Sequence, residues 1–412
     1  MPTFDFLHID AEVENGKIVG KSEGVLGDLV QPFVKQFFDK LNTLKVIANV
    51  NGGNVYNLFN PPFPTDAGMR FLMRKLKMMM TKQAFPVTAN IAITHDCQCK
   101  CIHCSADPFK NKSKKELSVE EIKTVVDGAL DLGATLIIFV GGEPLLRKEL
   151  FELIDHVDKS KAIPMIFTNG LLLTQENVDQ LAKAGLATLN ISIDSSEAEL
   201  HDSFRGVPGC YKKAFEGAAR AREAGILTGI STYATSESLK SGMVEKLLQI
   251  AQDEGFSEVT IFDCIPPGKF LKDTSKILTP EDRKQLIALA NKFHESDHPM
   301  GINAMAIINS AQGSGCYGAH SQFYMTAYGD INPCDFNPIN FGNVRDMPIQ
   351  AIWQKMVAHP DFNKRFHSCR MQSKDYRKKY IDPLPDGVPL PVPIEDIPGY
   401  FAKSEQENMV LT

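Results

Sequence analysis

Four cysteines crowd into one short string, Cys97-Gln98-Cys99-Lys100-Cys101-Ile102-His103-Cys104. Reading Cys97, Cys101 and Cys104 as ligands gives gaps of three and then two residues. A loop of that length wraps three thiolates around one face of an iron–sulfur cube and leaves the fourth iron without a protein ligand. A structural zinc site would instead pair such cysteines with a second, distant pair. Cys99, inside the loop, reads as a bystander. The chain has nine cysteines, an odd count, and Met1–Asp10 has no cationic start followed by an apolar run. Clustered cysteines without a secretory signal point to metal binding in a reducing cytoplasm rather than to disulfides.

Four further strings carry polar groups or tight turns at the ends of apolar runs: Gly141-Gly142-Glu143-Pro144, Thr168-Asn169-Gly170, Ser192-Ile193-Asp194, and His201-Asp202-Ser203-Phe204-Arg205-Gly206. Taken singly, each has a plain reading as a strand-end turn or cap. The elements that position them follow a regular pattern. Apolar runs at 90–94, 135–140, 164–168, 188–194, 227–233 and 258–263 alternate with helical periodicity at 119–132, 148–157, 175–184, 211–224, 243–254 and 280–293. Six strand–helix units imply a parallel α/β sheet curled by right-handed crossovers. They fall short of the eight of a closed barrel, so the expected fold is a partial (β/α)6 TIM-type barrel with its chemistry at the C-terminal strand ends.

In this order and at these strand ends, the strings resemble the radical S-adenosylmethionine (SAM) superfamily over roughly residues 88–270. An aromatic residue usually precedes the last cysteine of that family's C-x3-C-x2-C loop; here His103 stands there. The resemblance implies a 4Fe-4S cluster on Cys97, Cys101 and Cys104, with SAM chelated by the open iron. Gly141, Gly142, Glu143 and Pro144 would hold the cofactor's amino group. Thr168, Asn169, Ser192 and Asp194 would line its site, and Arg205 would reach its carboxylate. It also implies reductive cleavage of SAM to a 5′-deoxyadenosyl radical that abstracts hydrogen from an unactivated carbon, the cofactor carrying the chemistry and the protein the orientation.

Towards the C-terminus, Cys316 is followed by Gly329 and Cys334 in a C-x12-G-x4-C pattern, with Cys369 further on. This resembles the start of the SPASM and twitch extensions, which hold auxiliary clusters. The full seven-cysteine SPASM set is absent from the sequence. One auxiliary 4Fe-4S cluster on Cys316, Cys334 and Cys369 is therefore expected, its fourth ligand Asp335, His367, Cys264 or the substrate; the plain alternative is three buried cysteines. Cys264, at the end of the sixth strand, is the candidate catalytic residue, and Lys269 replaces the arginine of a P-x-G-R stretch in relatives. Cys210 reads as core.

The organisation expected is an N-terminal α+β extension (1–85), the barrel (86–298), a SPASM/twitch-like domain (299–380) and a Pro-rich tail (381–412) lying on the surface. Within the extension the sequence predicts an amphipathic helix at 29–41, a hairpin across 46–59 turning at Asn51-Gly52-Gly53-Asn54, and a Met- and Phe-rich helix at 69–80. That last helix reads first as an apolar face packed on the barrel, with a substrate lid or peripheral membrane contact as minor readings. The net charge of −6 argues against nucleic acid as a partner, and no apolar window is long enough to span a membrane. The expected protein is a cytoplasmic radical SAM enzyme fed by flavodoxin or ferredoxin, acting on a tetrapyrrole precursor or a ribosomal peptide. The alternatives are a lipid or other apolar substrate and, from another class, a non-catalytic iron–sulfur electron carrier.

Overall fold

A computed structural model describes residues 7–263, 265–266, 268–310, 313–364 and 366–398. The chain opens with an antiparallel hairpin of β1 (His8–Glu14) and β2 (Lys17–Glu23), which the sequence pattern had not singled out. Helix α1 (Gly27–Leu41) lies on it, burying Val30, Val34 and Phe38. Gly20 on β2 is required here, since a Cβ would stand 2.3 Å from the Phe38 ring. The expected second hairpin forms from β3 (Ala48–Val50) and β4 (Gly53–Val55) around Asn51-Gly52, both at positive φ. Helix α2 (Asp66–Thr81) starts at Thr65, whose hydroxyl accepts from the Gly68 amide, and buries Phe71, Leu72 and Leu76. Its apolar face is thus spent within the protein against Phe38, Phe63 and Val87, leaving only Met79 and Met80 strongly exposed.

The barrel follows: β5 (Thr88–Thr94), α3 (Val119–Leu132), β6 (Leu136–Gly141), α4 (Leu150–His156), β7 (Ile163–Thr168), α5 (Gln175–Lys183) and β8 (Thr188–Ser192). Helices α6 (Ala198–Arg205) and α7 (Cys210–Glu223), β9 (Leu227–Ala234), α8 (Ser236–Lys240), α9 (Met243–Asp253), β10 (Glu258–Asp263) and α10 (Pro280–His294) complete it. Local chemistry sets the helix ends. In α3 a Ser118/Glu121 capping box opens the helix and Gly133, at φ +116°, closes it. Each strand alternates: in β5 Ala89, Ile91 and Ile93 join the core under the helices, while Thr88 and Asn90 face a central cavity.

The sheet does not stop at the sixth unit. Strand β11 (Gly301–Ala304) pairs parallel with β10 and is followed by α11 (Met305–Ile308), and β12 (Gln322–Met325) pairs parallel with β5, giving the order β11-β10-β9-β8-β7-β6-β5-β12-β13. The added β13 (Ile331–Asn332) runs antiparallel to β12. Strands of two to four residues are too short to show a period in sequence. The C-terminal region adds β14 (Ile339–Asn340), α12 (Ile349–Ala358), α13 (Lys374–Tyr380) and β15 (Val392–Pro393). The described part of the Pro-rich tail corrects the surface reading. β15 pairs with β14, and Ile381, Leu384, Val392, Ile394 and Ile397 are buried in the main core. Proline spacing predicts extended backbone but not which alternate side chains are buried.

The N-terminal unit floors the barrel. Leu58 is fully buried at its lower end, and its amide donates to the Glu258 carboxyl group at the start of β10 (3.1 Å). Among the described residues, no helix is long and apolar enough to cross a membrane.

Candidate active site

The cysteine loop leaves the top of β5 under tight constraint. The Glu116 carboxylate accepts from the Thr94 hydroxyl (2.9 Å) and the His95 amide (2.8 Å). His95 is buried, with Nε2 accepting from the Ala327 amide, and burial brings its pKa down to about 4, so it is neutral. From below, the end of β6 comes so close that only glycine fits. A Cβ on Gly141 (φ +148°) would meet the Thr94 carbonyl oxygen at 2.0 Å, and one on Gly142 the Asp96 oxygen at 2.2 Å. The Gly142 and Glu143 amides donate to those same oxygens.

Cys97, Cys101 and Cys104 all face a cavity of about 860 Å³ that also takes in Gly141, Gly142, Thr168, Asn169, Ser192, Asp194 and Arg205. The structure therefore brings most of the expected cofactor residues to one wall. Glu143 and Pro144 are the exceptions, being buried behind it. Glu143 is fully buried, and its carboxyl group accepts from the Thr168 hydroxyl (2.8 Å), the Asn169 amide (2.8 Å) and the Leu145 amide (3.1 Å). Burial pushes its pKa up to about 7 against those hydrogen bonds. Its role is to tie the end of β6 to the end of β7.

Asp194 and Arg205 are both buried and form an ion pair, Nε to Oδ2 2.7 Å, with His103 Nε2 3.5 Å from the same oxygen. Arg205 also donates towards Cys101 Sγ (3.6 Å), and Asn169 Nδ2 lies 3.8 Å from Cys97 Sγ. A hydrogen bond from Cys99 and the Arg205 charge, opposed by burial, bring the Cys101 thiol down to about 6. Cys99 is not remote from the others. Its thiol contacts Cys101, Cys210 and Cys97 and faces the cavity. Cys210 is buried, as expected, at the start of α7. Lys269 binds the Cys101 carbonyl oxygen (3.1 Å) and Asp107 (3.5 Å), and so braces the loop from outside.

The second cysteine group opens on the same cavity. Cys316, Cys334 and Cys369 interact with one another; burial first, then neighbouring charge, drives Cys334 well up and Cys369 to about 12. Asp335 borders the cavity, and burial raises it to about 6. His367 is exposed and absent from the cavity wall, and Cys264 lies outside the described residues. Two groups that spacing did not single out stand beside these cysteines. Tyr324, on β12, is buried against Phe109 and lines the cavity; Asp263 ends β10 with both carboxyl oxygens buried and Arg283 Nε 3.7 Å away. Both sit on strand ends reaching the cavity, a signal that the alternation of β10 alone could have supplied.

The donor set fits iron–sulfur clusters. Two sets of three thiolates, each set beside an open cavity, match a cube with one free iron, and among the described residues none gathers tightly enough for a single metal ion. His103, which lines this wall, has its Nδ1 buried without a hydrogen-bond partner, as expected of a site shaped for a polar cofactor.

A parallel partial barrel whose first strand ends in such a loop, with a second cysteine group closing the same cavity, defines an iron–sulfur enzyme. The chain carries a radical SAM superfamily domain, matched over residues 91–241, and the SPASM iron–sulfur cluster-binding domain over residues 316–377. It is 27% identical over 285 residues to the AdoMet-dependent heme synthase of Oleidesulfovibrio alaskensis, covering 64% of this chain and 73% of the relative. It is 34% identical over 149 residues to the PqqA peptide cyclase of Bradyrhizobium diazoefficiens, 36% and 39% of the two chains. The fold is shared with anSMEcpe solved with bound AdoMet, at TM-score 0.54, 19% identity, and 78% and 95% coverage. The cofactors are accordingly a 4Fe-4S cluster with SAM and auxiliary iron–sulfur clusters.

Proposed function

We propose that Cys97, Cys101 and Cys104 hold the SAM-binding cluster and Cys316, Cys334 and Cys369 an auxiliary one, and that the enzyme abstracts hydrogen from a carbon of a tetrapyrrole precursor. When bound, cluster and SAM supply a 5′-deoxyadenosyl radical. The chain's own residues position and shield. Gly141 and Gly142 offer backbone to the cofactor's amino end, Ser192 and Asn169 offer hydrogen bonds, and the Asp194–Arg205 pair fixes charge beside Cys101. The carrying observation is that both cysteine groups face one cavity, so a substrate bound there touches both. Its volume and its aromatic lining, Tyr233, Phe262, Phe270, Tyr324 and Phe336, suit a flat macrocycle. The likeness to AdoMet-dependent heme synthases supports the same choice. A ribosomal peptide is the second reading, supported by the likeness to PqqA peptide cyclases.

Anaerobically reconstituted enzyme given dithionite, or reduced flavodoxin or ferredoxin, should release 5′-deoxyadenosine from SAM, and faster with an iron porphyrin carboxylic acid than with a peptide. Absence of release with iron content verified overturns the reading. Replacing Cys97, Cys101 and Cys104 together should leave about four irons per chain; zero iron refutes the auxiliary cluster.

A further inference from the structure

The cavity does not end at the cluster wall. It continues down the barrel lumen to the floor built by the N-terminal unit, where Tyr56, Asn57, Asn60, Lys75, Thr88 and Gln322 border it. Strand β5 measures the depth. Its seven residues run from Thr88 at the floor to Thr94 under the cysteine loop, roughly 20 Å at the usual rise of a strand. Barrel lumens of this class are normally filled by branched apolar side chains, whereas here Asn90, Ser231 and Thr260 stand among the apolar residues of a passage that is left open.

Lys75 is the unexplained group at that floor. It sits on the inner face of α2, one turn after Phe71, with its ammonium 5.1 Å from the centre of the Phe71 ring. It has no ion pair or hydrogen bond among the described residues, and burial lowers its pKa. The side-chain amide nitrogens of Asn57, Asn60 and Gln322 likewise have no acceptor among the described residues. Glu258, which also borders the cavity, is turned to the Leu58 amide, and no carboxylate pairs with Lys75 among the described residues. A half-buried cation lining the same cavity as these neutral donors is a site for a single negative charge with planar acceptors.

We propose that Lys75, with Asn57, Asn60 and Gln322, forms a carboxylate-binding subsite at the floor of the cavity. It takes either a carboxylate arm at the far end of the substrate or a separate small carboxylate. This rests on the reading that substrate occupies this cavity. A porphyrin bearing carboxylate side chains on opposite edges is long enough to approach both ends.

The test uses reconstituted holoenzyme, wild type against Lys75→Met and Lys75→Arg. Coproporphyrin III and its tetramethyl ester are titrated by absorbance, and acetate by its effect on thermal unfolding. With a substrate arm in the subsite, the free acid binds Lys75→Met roughly 10- to 100-fold more weakly, Lys75→Arg within about 3-fold of wild type, and the ester equally to all. With a separate small ligand, acid and ester bind all variants alike, and acetate raises the melting temperature of wild type but not of Lys75→Met. If neither the acid nor acetate depends on Lys75, the proposal is overturned. Uncoupled 5′-deoxyadenosine release is assayed on wild type in parallel. Its absence from wild type would defeat the radical reading instead, so the two failures are distinguishable.

Discussion

Arg205 shows how one side chain links the fold to the chemistry. Its guanidinium is buried, pairs with a buried carboxylate through Nε and points Nη1 at the Cys101 sulfur. Coulomb attraction in a poorly solvated place offsets a desolvation cost that neither partner could bear alone. Arg205→Met would therefore strand Asp194 without a counter-charge and should cost roughly 3–5 kcal/mol in urea unfolding of the cluster-free protein. Arg205→Lys should recover only part of this, because an ammonium cannot reproduce the fork that reaches Asp194 and Cys101 together. A loss under about 1 kcal/mol for the methionine variant would mean that Asp194 is solvated in place and that the pair is not structural.

At the scale of elements, the junction of β5 and β6 decides where the cysteine loop can lie. Gly142 presses against the Asp96 and His95 carbonyl oxygens, at 2.2 and 2.7 Å from a notional Cβ, and backbone oxygens cannot swing aside as a side chain can. Gly142→Ala should therefore displace the loop, costing roughly 1–3 kcal/mol. It should also lower the iron bound near Cys97 while iron on the C-terminal cysteines is retained. Full iron content with an unchanged melting temperature would show that the loop tolerates the shift. This junction was visible in the sequence as two glycines after an apolar run, and so were the six strand–helix units, because each repeats a period long enough to detect. Other features were not visible. Strands β11 to β15 are too short for a period. Glu143 was expected to face the cofactor, yet three donors on the ends of β6 and β7 hold it behind the wall. In sequence Lys75 is one of four cations between residues 69 and 80, with nothing in their spacing to set it apart. Only the packing of α2 beneath the barrel separates it from Arg70, which binds the Leu130 carbonyl oxygen, and from Arg74 and Lys77, which lie over Phe85. Spacing reports what one element does locally, and these placements depend on which elements meet.

At the scale of the whole molecule, barrel and N-terminal unit are joined through a titratable group. Glu258 is fully buried at the lower end of β10, accepting from the Leu58 amide and lying near the Thr260 hydroxyl. Burial outweighs those hydrogen bonds and raises its pKa from an ordinary 4.5 to about 7. An acid with a raised folded-state pKa binds its proton more tightly when folded than when unfolded. Its contribution is therefore most favourable below about pH 4.5, falls as pH rises to about 7, and is constant above that. The full span is on the order of 3 kcal/mol. Glu258→Gln keeps an oxygen for the Leu58 amide and removes the proton equilibrium. Glu143 titrates over the same range but is present in both proteins, so it cancels in the comparison. Urea unfolding of the two cluster-free proteins at pH 5, 6 and 7.5 should show the variant gaining on the wild type at each step, most of the gain falling between pH 5 and 7. Curves that stay parallel across this range would mean that Glu258 is ionised in the folded protein, and that the floor meets the barrel around a solvated charge rather than a neutral acid.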